Sequence, residues 1–276
     1  MVDRKKLSYG KVDGKKDMFP LQTEPEASPK KDGEKVPVRK HIDAPSGYSK
    51  RDGVLSYGII CVISGGTKRE RTFLTEIEKK KTFRNLDVIF VSSPNDKGGL
   101  TPKMMLAEFE RICNDGVIKA YGRDIEIEDV DSFYMLTDVD HYENELKGLL
   151  MNNKEKYPIW IISNPDFEIW LYYCYRNNPF KELADVVCAK PEVRSSLLKT
   201  INGTFNNNGG LDTRKAFEHL KDGIAHSKEH YREVDSIPTL LSTQMHVFAE
   251  DVLLRLGNEY ENFLKSKQDF RKRMTV

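Results

Sequence analysis

The sequence predicts an α/β fold: a parallel sheet of about four strands with flanking helices, followed by a helical C-terminal region. Two observations carry this. Four apolar runs of strand length, at 57–63, 86–91, 132–137 and 157–162, alternate with segments of helical character, the order that builds a parallel sheet. The first of these runs, Tyr57 to Ile63, shows no apolar–polar alternation, as expected of a strand covered on both faces.

Residues 1–53 precede the first strand. They are rich in Lys, Asp, Gly, Pro and Ser and nearly empty of large aliphatics. Such a segment buries too little apolar surface to offset its ordering entropy, so it reads as a disordered basic tail. Its basic residues, Lys5, Lys6, Lys15, Lys16, Lys30 and Lys31 among them, also suit an arm that orders on nucleic acid or on a partner. The α/β core is expected over 54–180. After the first strand, Ser64-Gly65-Gly66-Thr67 breaks the run and a helical stretch continues to about Lys81. Leu86 to Val91 is the second strand, Ser92 to Leu100 a loop, and Thr101 to Cys113 a helix whose first turn holds Pro102. Ser132 to Thr137 is the third strand and leads through Asp138-Val139-Asp140 to a helix starting near His141. Tyr157 to Ile162 is the fourth, followed by a helix from Asp166 to about Tyr175. Beyond 180 no strand is evident. Helices are expected at 182–201, at 212–231 and from Thr239 to about Lys267, forming an extension over 181–276 that packs on the core.

Composition narrows the function. The 276 residues are 38% hydrophobic and 32% charged, with a formal net charge of +1, so the chain as a whole makes no electrostatic case for nucleic acid and any such case is local. Cys61, Cys113, Cys174 and Cys188 form no CxxC pair, which argues against a zinc ribbon. No apolar run approaches the ~20 residues of a membrane span, and the N-terminus lacks the apolar stretch of a signal peptide. A cytoplasmic protein without a membrane is the expectation.

In an open α/β sheet, ligands bind at the carboxyl ends of the strands, and four chemically distinctive clusters fall at such ends. Gly65 and Gly66, followed by Lys68, Arg69 and Glu70, suit either a phosphate contact or a tight turn. Asp138 and Asp140, two apart beyond a buried strand, offer the carboxylates that a hard divalent cation requires, although one of them could simply cap a helix. Ser163 or Asn164 suits a helix N-cap, with Pro165 in the first turn and Glu168 near the positive helix end. The loop from Ser92 carries Lys97, a candidate substrate contact or part of an ordinary connector.

Taken together, a strand ending in a Gly turn, a later strand ending in Asp138-Val-Asp140, and Ser163-Asn-Pro-Asp-Phe-Glu-Ile-Trp170 resemble the RloB-like proteins, relatives of the Toprim domain of primases, topoisomerases and OLD-type nucleases. The resemblance covers about residues 57–180. It implies a Toprim-like fold, a general acid or base after the first strand, Mg²⁺ or Mn²⁺ on Asp138 and Asp140, and a link to phage defence beside an ATPase of the ABC or SMC type. One position departs from the pattern. Where the family carries Glu-Gly after the first strand, this chain has Ser64-Gly65, and the next acid, Glu70, lies about one and a half helical turns further on. Two readings result. The first is a metal-dependent nuclease acting on DNA or RNA, with Asp138 and Asp140 on the metal and Glu70 or Glu168 moving protons. The second is a catalytically degenerate sensor or adaptor that binds nucleic acid or a partner; a homo-oligomer is compatible with either.

The tail supplies the first test. Deleting residues 1–53 is expected to leave the melting temperature of the remainder within the ~2–4 °C that a loss of about 1 kcal/mol produces in a domain of this size; a larger drop in calorimetry contradicts the disordered reading.

Overall fold

A computed structural model describes residues 58–78, 83, 86–92, 99–128, 131–140, 142–152, 158–205 and 210–274. Its centre is a five-stranded sheet made of β1 (Gly58–Ser64), β2 (Leu86–Val91), β5 (Ser132–Asp138), β6 (Ile159–Asn164) and β9 (Ser242–Thr243), in the order β2-β1-β5-β6-β9. The first four are mutually parallel, as the alternation with helices requires, and β9 adds antiparallel to the end of β6. The basic tail 1–53, and Lys97 within its loop, lie outside the described residues.

The helices follow local signals. α1 (Arg69–Phe73) and α2 (Thr75–Glu78) are two short pieces after β1. α3 (Pro102–Asp115) starts with the Thr101 hydroxyl accepting from the Met104 amide at 3.3 Å and ends at Gly116, with φ 69°, the left-handed conformation that commonly closes a helix. α4 (Glu143–Asn152) follows β5, and α5 (Glu168–Tyr175) follows β6. α4 joins the parallel neighbours β5 and β6, and the segment that holds α3 carries the chain from β2 past β1 to β5, so both are crossovers.

Several expectations are corrected. Between α3 and β5, where no strand was expected, stands a hairpin of β3 (Val117–Ala120) and β4 (Arg123–Glu126), and Asp131 is buried with its carboxylate accepting from the amides of Ile59 and Glu128. The C-terminal half does contain strands: β7 (Glu233–Val234), β8 (Ile237–Pro238) and β9. Each spans two residues, too few to show any hydrophobic period. The helix expected over 182–201 is divided into α6 (Pro179–Glu182), α7 (Ala184–Cys188) and α8 (Pro191–Thr204), because proline fits a first helical turn but not a helix interior. After α9 (Leu220–His230), the single helix expected from Thr239 begins only beyond β9 and is divided at Gly257 into α10 (Met245–Leu256) and α11 (Asn258–Met274).

Both faces of the sheet are covered. Cys61, Ile63, Ile89 and Met135 pack with Met105 and Ile112 of α3 on one side. Ile60, Val62, Val88, Tyr134 and Leu136 pack on the other with Phe73, Trp170, Phe217, Phe248 and Tyr260. This second cluster runs from the strands into α9, α10 and α11 without a break, and the described residues belong to one compact unit. All four cysteines are free, and Cys61 lies in the core. Among the described residues no helix is long and apolar enough to cross a membrane.

α9 packs closely on α5 at Gly223. Gly223 of α9 faces Trp170 so closely that a Cβ there would sit 2.7 Å from the indole Cη2 and 3.0 Å from the Cys174 Sγ. Trp170 is fully buried and held edge-on by Phe73 at 6.1 Å between ring centroids, so it has little room to retreat. Gly223→Val is therefore expected to destabilise the protein by on the order of 2 kcal/mol or more, as overpacking does, seen as a lower midpoint in urea. An unchanged midpoint contradicts this packing.

Candidate functional site

Chain order places a crevice at one end of the sheet. From β1 the chain steps outward to β2, then crosses back over β1 to β5 and continues to β6, so the direction of winding reverses between β1 and β5. That reversal leaves an opening beyond the carboxyl ends of these two strands, where open α/β sheets bind ligands. Ser64 pairs with Leu136, and Asp138 pairs with Ser163 of β6. Because side chains alternate along a strand, Asp138 shares the face of Tyr134 and Leu136, the face covered by α1 and α5.

Four carboxylates meet there. Glu70 comes from α1, Asp138 from the end of β5, and Asp166 and Glu168 from the β6–α5 junction; Glu70, Asp166 and Glu168 are all buried. Glu70 lies over the Gly turn, such that a Cβ on Gly66 would stand 1.9 Å from its Oε1. Gly66 is thus the space into which the carboxylate folds. Burial, then the charge of Glu168, pushes the Glu70 carboxyl up to about 7, against which its own backbone amide, Lys199 and Arg69 act. Protein atoms crowd the Asp138 carboxyl and hold it well above the usual carboxylate range, with Glu70, Asp166 and Glu168 adding repulsion. Asp166 is pushed up to about 8 by burial and then by Glu168, partly relieved by Lys199.

Two cations answer them. Lys199 of α8 places its Nζ 3.0 Å from Asp166 Oδ2, and Arg69 places its Nε 3.5 Å from Glu168 Oε1 while its Nη1 donates to the Thr213 hydroxyl at 3.0 Å. Partial burial lowers the Lys199 pKa, but Asp166 and Glu168 outweigh it and the group is raised overall. Apart from these ion pairs, Asp166 Oδ2 and Glu168 Oε1 are buried and accept no hydrogen bond. Asp166 also accepts, through Oδ1, from the Glu168 amide at 3.2 Å, and Asn202 donates to the Glu168 carbonyl at 2.9 Å. Arg69, Glu168, Lys199 and Asn202 line a small open pocket of about 40 Å³.

The residues singled out in the sequence are distributed unevenly. Glu70, Asp138, Glu168 and Arg69 come together. Asp140 is exposed in the turn after β5, with its amide donating to the Pro165 carbonyl at 3.2 Å; the strongest charges acting on Asp138 are Glu70, Asp166 and Glu168. Lys68 is exposed. The Gly65 amide, expected to be free for an anion, donates to the Leu136 carbonyl at 2.9 Å. Ser64 is fully buried, and its hydroxyl has no partner. Ser163 and Asn164 do not cap α5: the Ser163 hydroxyl meets Thr243 Oγ1 at 2.8 Å, and the Asn164 amide donates to the Pro238 carbonyl at 2.8 Å. The Asn164–Pro165 peptide is cis, and Pro165 precedes α5, which opens at Glu168 without a side-chain cap.

Asp166 and Lys199 were not anticipated as site residues. Asp166 sits two before Glu168 inside the most specific motif, so a second acid was visible there. Lys199 carries no local signal. Among the described residues, no three His, Cys, Asp or Glu side chains form a ready-made metal-binding group. Comparison with family models, with curated proteins and with solved structures finds no match.

Crowded carboxylates make stability depend on pH in a stated direction. A carboxyl raised in the folded state binds its proton more tightly there than in the unfolded chain, so the penalty is absent below the unfolded pKa and grows as pH rises to the folded one. Glu70→Gln removes its share of that penalty. The interval from 4.5 to about 7, at ~1.4 kcal/mol per pH unit, bounds the effect at on the order of 3 kcal/mol. Calorimetry is expected to show the variant gaining stability relative to the parent between about pH 4.5 and about pH 7. A pH-independent difference refutes the burial of an ionisable group at Glu70.

Proposed function

We propose that this chain is a Toprim-like, RloB-like nuclease that hydrolyses phosphodiester bonds of DNA or RNA with Mg²⁺ or Mn²⁺, acting as an effector in antiphage defence. The convergence of Glu70, Asp138, Asp166 and Glu168 at the β1–β5 crevice carries the reading. Four buried or crowded acids from separate elements are costly to assemble, and a fold that needed only stability would bury apolar side chains there instead.

The donors suit a hard divalent cation. All are carboxylate oxygens, and the inner oxygens of Asp166 and Glu168 have no partner besides the Lys199 and Arg69 ion pairs. Asp138 would hold the cation with the exposed Asp140 at the rim; Asp166 and Glu168, which form no ready-made metal group with it, would join once Lys199 and Arg69 give way. The bound metal would neutralise the phosphodiester and the charge that develops as it reacts. The chain's own part is positional and protonic. Glu70, whose carboxyl titrates near neutrality, suits a general base that removes a proton from the attacking water as its oxygen bonds to phosphorus. The ester P–O bond breaks, and the leaving oxygen takes a proton from solvent or from Glu70 as it is restored. Arg69 and Lys68 lie at the crevice mouth, where phosphate oxygens would arrive. An ATPase of the ABC or SMC type working beside this chain, and an intracellular setting, are part of the same proposal and rest on the resemblance.

A specific observation favours a second reading, a sensor or adaptor without catalysis. Ser64 stands buried where the related proteins carry an acid, and Arg69 and Lys199 already neutralise two of the four carboxylates.

The full chain, incubated with plasmid, phage DNA and tRNA in Mg²⁺ or Mn²⁺, is expected to cleave at least one of them. Asp138→Asn should lower the rate by about 100-fold or more, the scale of losing one electrostatic contributor. Gly66→Ala should also lower it, with little change in melting temperature, because the added methyl displaces the Glu70 carboxylate. Cleavage that survives Asp138→Asn refutes the nuclease assignment; no cleavage, with protection in cells unaffected by Asp138→Asn, supports the adaptor.

A further inference from the structure

Lys199 and Asp166 form an unequal pair. The Asp166 side chain is 1% exposed, whereas that of Lys199 is 50% exposed. One partner is fixed in the fold, and the other sits at the end of a flexible stem that reaches in from α8. Arg69 and Glu168 repeat the arrangement, at 53% and 4%. Asp166 and Glu168 are thus each covered from outside by the end of a half-exposed cationic side chain. Beside them lies the pocket of about 40 Å³, lined by Arg69, Lys199 and Asn202, where Asn202 Oδ1 is buried with no partner. The pocket is of the size that holds one or a few waters, and it gives the lysine stem room to leave without moving α8.

We propose that Lys199, with Arg69 beside it, is the internal counter-ion of the acidic centre and competes with a divalent cation for its carboxylates. In the metal-free protein the ammonium group offsets the repulsion among the acids and keeps the centre folded. Divalent metal displaces it, and the freed cation stays tethered at the crevice mouth, facing the side from which a polyanion approaches. Binding of metal and of a phosphate-bearing substrate then becomes mutually favourable, because the substrate gives the displaced cation a new partner. The inference deepens the metal-site reading and rests on it. Lys199 is a positioning residue here, acting through Asp166.

The test compares the full-length protein with Lys199→Gln and Lys199→Arg, using Mn²⁺ alone as the probe in calorimetric titrations and melting curves. Lys199→Gln is expected to bind Mn²⁺ about tenfold more tightly, the effect of removing one competing charge from a buried carboxylate. It should melt lower than the parent without metal and close to it with saturating Mn²⁺. Lys199→Arg, which keeps the charge, should stay within about threefold of the parent. An unchanged Mn²⁺ affinity in Lys199→Gln, with the same loss of melting temperature with and without metal, makes the pair purely structural and overturns the competition while leaving the metal site standing. Absence of Mn²⁺ binding in both parent and Lys199→Gln overturns the competition and the metal site together. If Lys199→Gln does not fold, Arg69→Gln carries the same comparison through Glu168 with the same outcomes.

Discussion

Repulsion among like charges that water reaches poorly is the constraint around which this end of the molecule is built. Glu70, Asp138 and Asp166 lose hydration on folding, and the charge of Glu168 raises the cost of ionising each of them. Such a cluster persists only where the surrounding structure fixes the groups more firmly than they repel. Here the fixing is divided among elements that cannot move independently: a strand end, the short helix after β1, the β6–α5 junction, and two cations arriving from α1 and α8.

The C-terminal half supplies much of that fixing. β9 pairs with the last two residues of β6, the Leu241 amide donates to the Asn164 carbonyl at 2.9 Å, and the buried Tyr173 hydroxyl donates to the Leu241 carbonyl at 2.7 Å. Gln244 holds Ile162 through both backbone and side chain. The junction carrying Asp166 and Glu168 is therefore clamped from a segment about 80 residues later, and Lys199 and Asn202 meet it from a third region. The side chains of Ser163 and Asn164 serve this clamp, meeting Thr243 and Pro238, and take no part in capping α5.

How far the sequence could be read depended on the range of the interaction concerned. The four long parallel strands were legible because burial on both faces leaves an uninterrupted apolar run, and α3 was legible because Thr101 and Pro102 mark its start. Glu70, Asp138 and Glu168 could be picked out because each follows a strand closely. Strands of two residues, such as β9, were not legible, since no period fits in them and their pairing depends on a partner distant in the chain. Asp140 is exposed although its spacing from Asp138 matches that of a strand face: the chain turns after Asp138, so the strand period no longer applies.

By itself the sequence determined the α/β class, the strand order along the chain and the presence of acids at successive strand ends, because alternation of apolar runs and short-range turn chemistry are local properties. Tertiary structure alone decided that the sheet reverses between β1 and β5, that Asp166 rather than Asp140 joins the buried cluster, and that Lys199 covers it. Those outcomes depend on which elements pack together across the sheet. Coulomb interaction and desolvation act through space, and nothing in the spacing of residues along the chain records a distance between α8 and the end of β6.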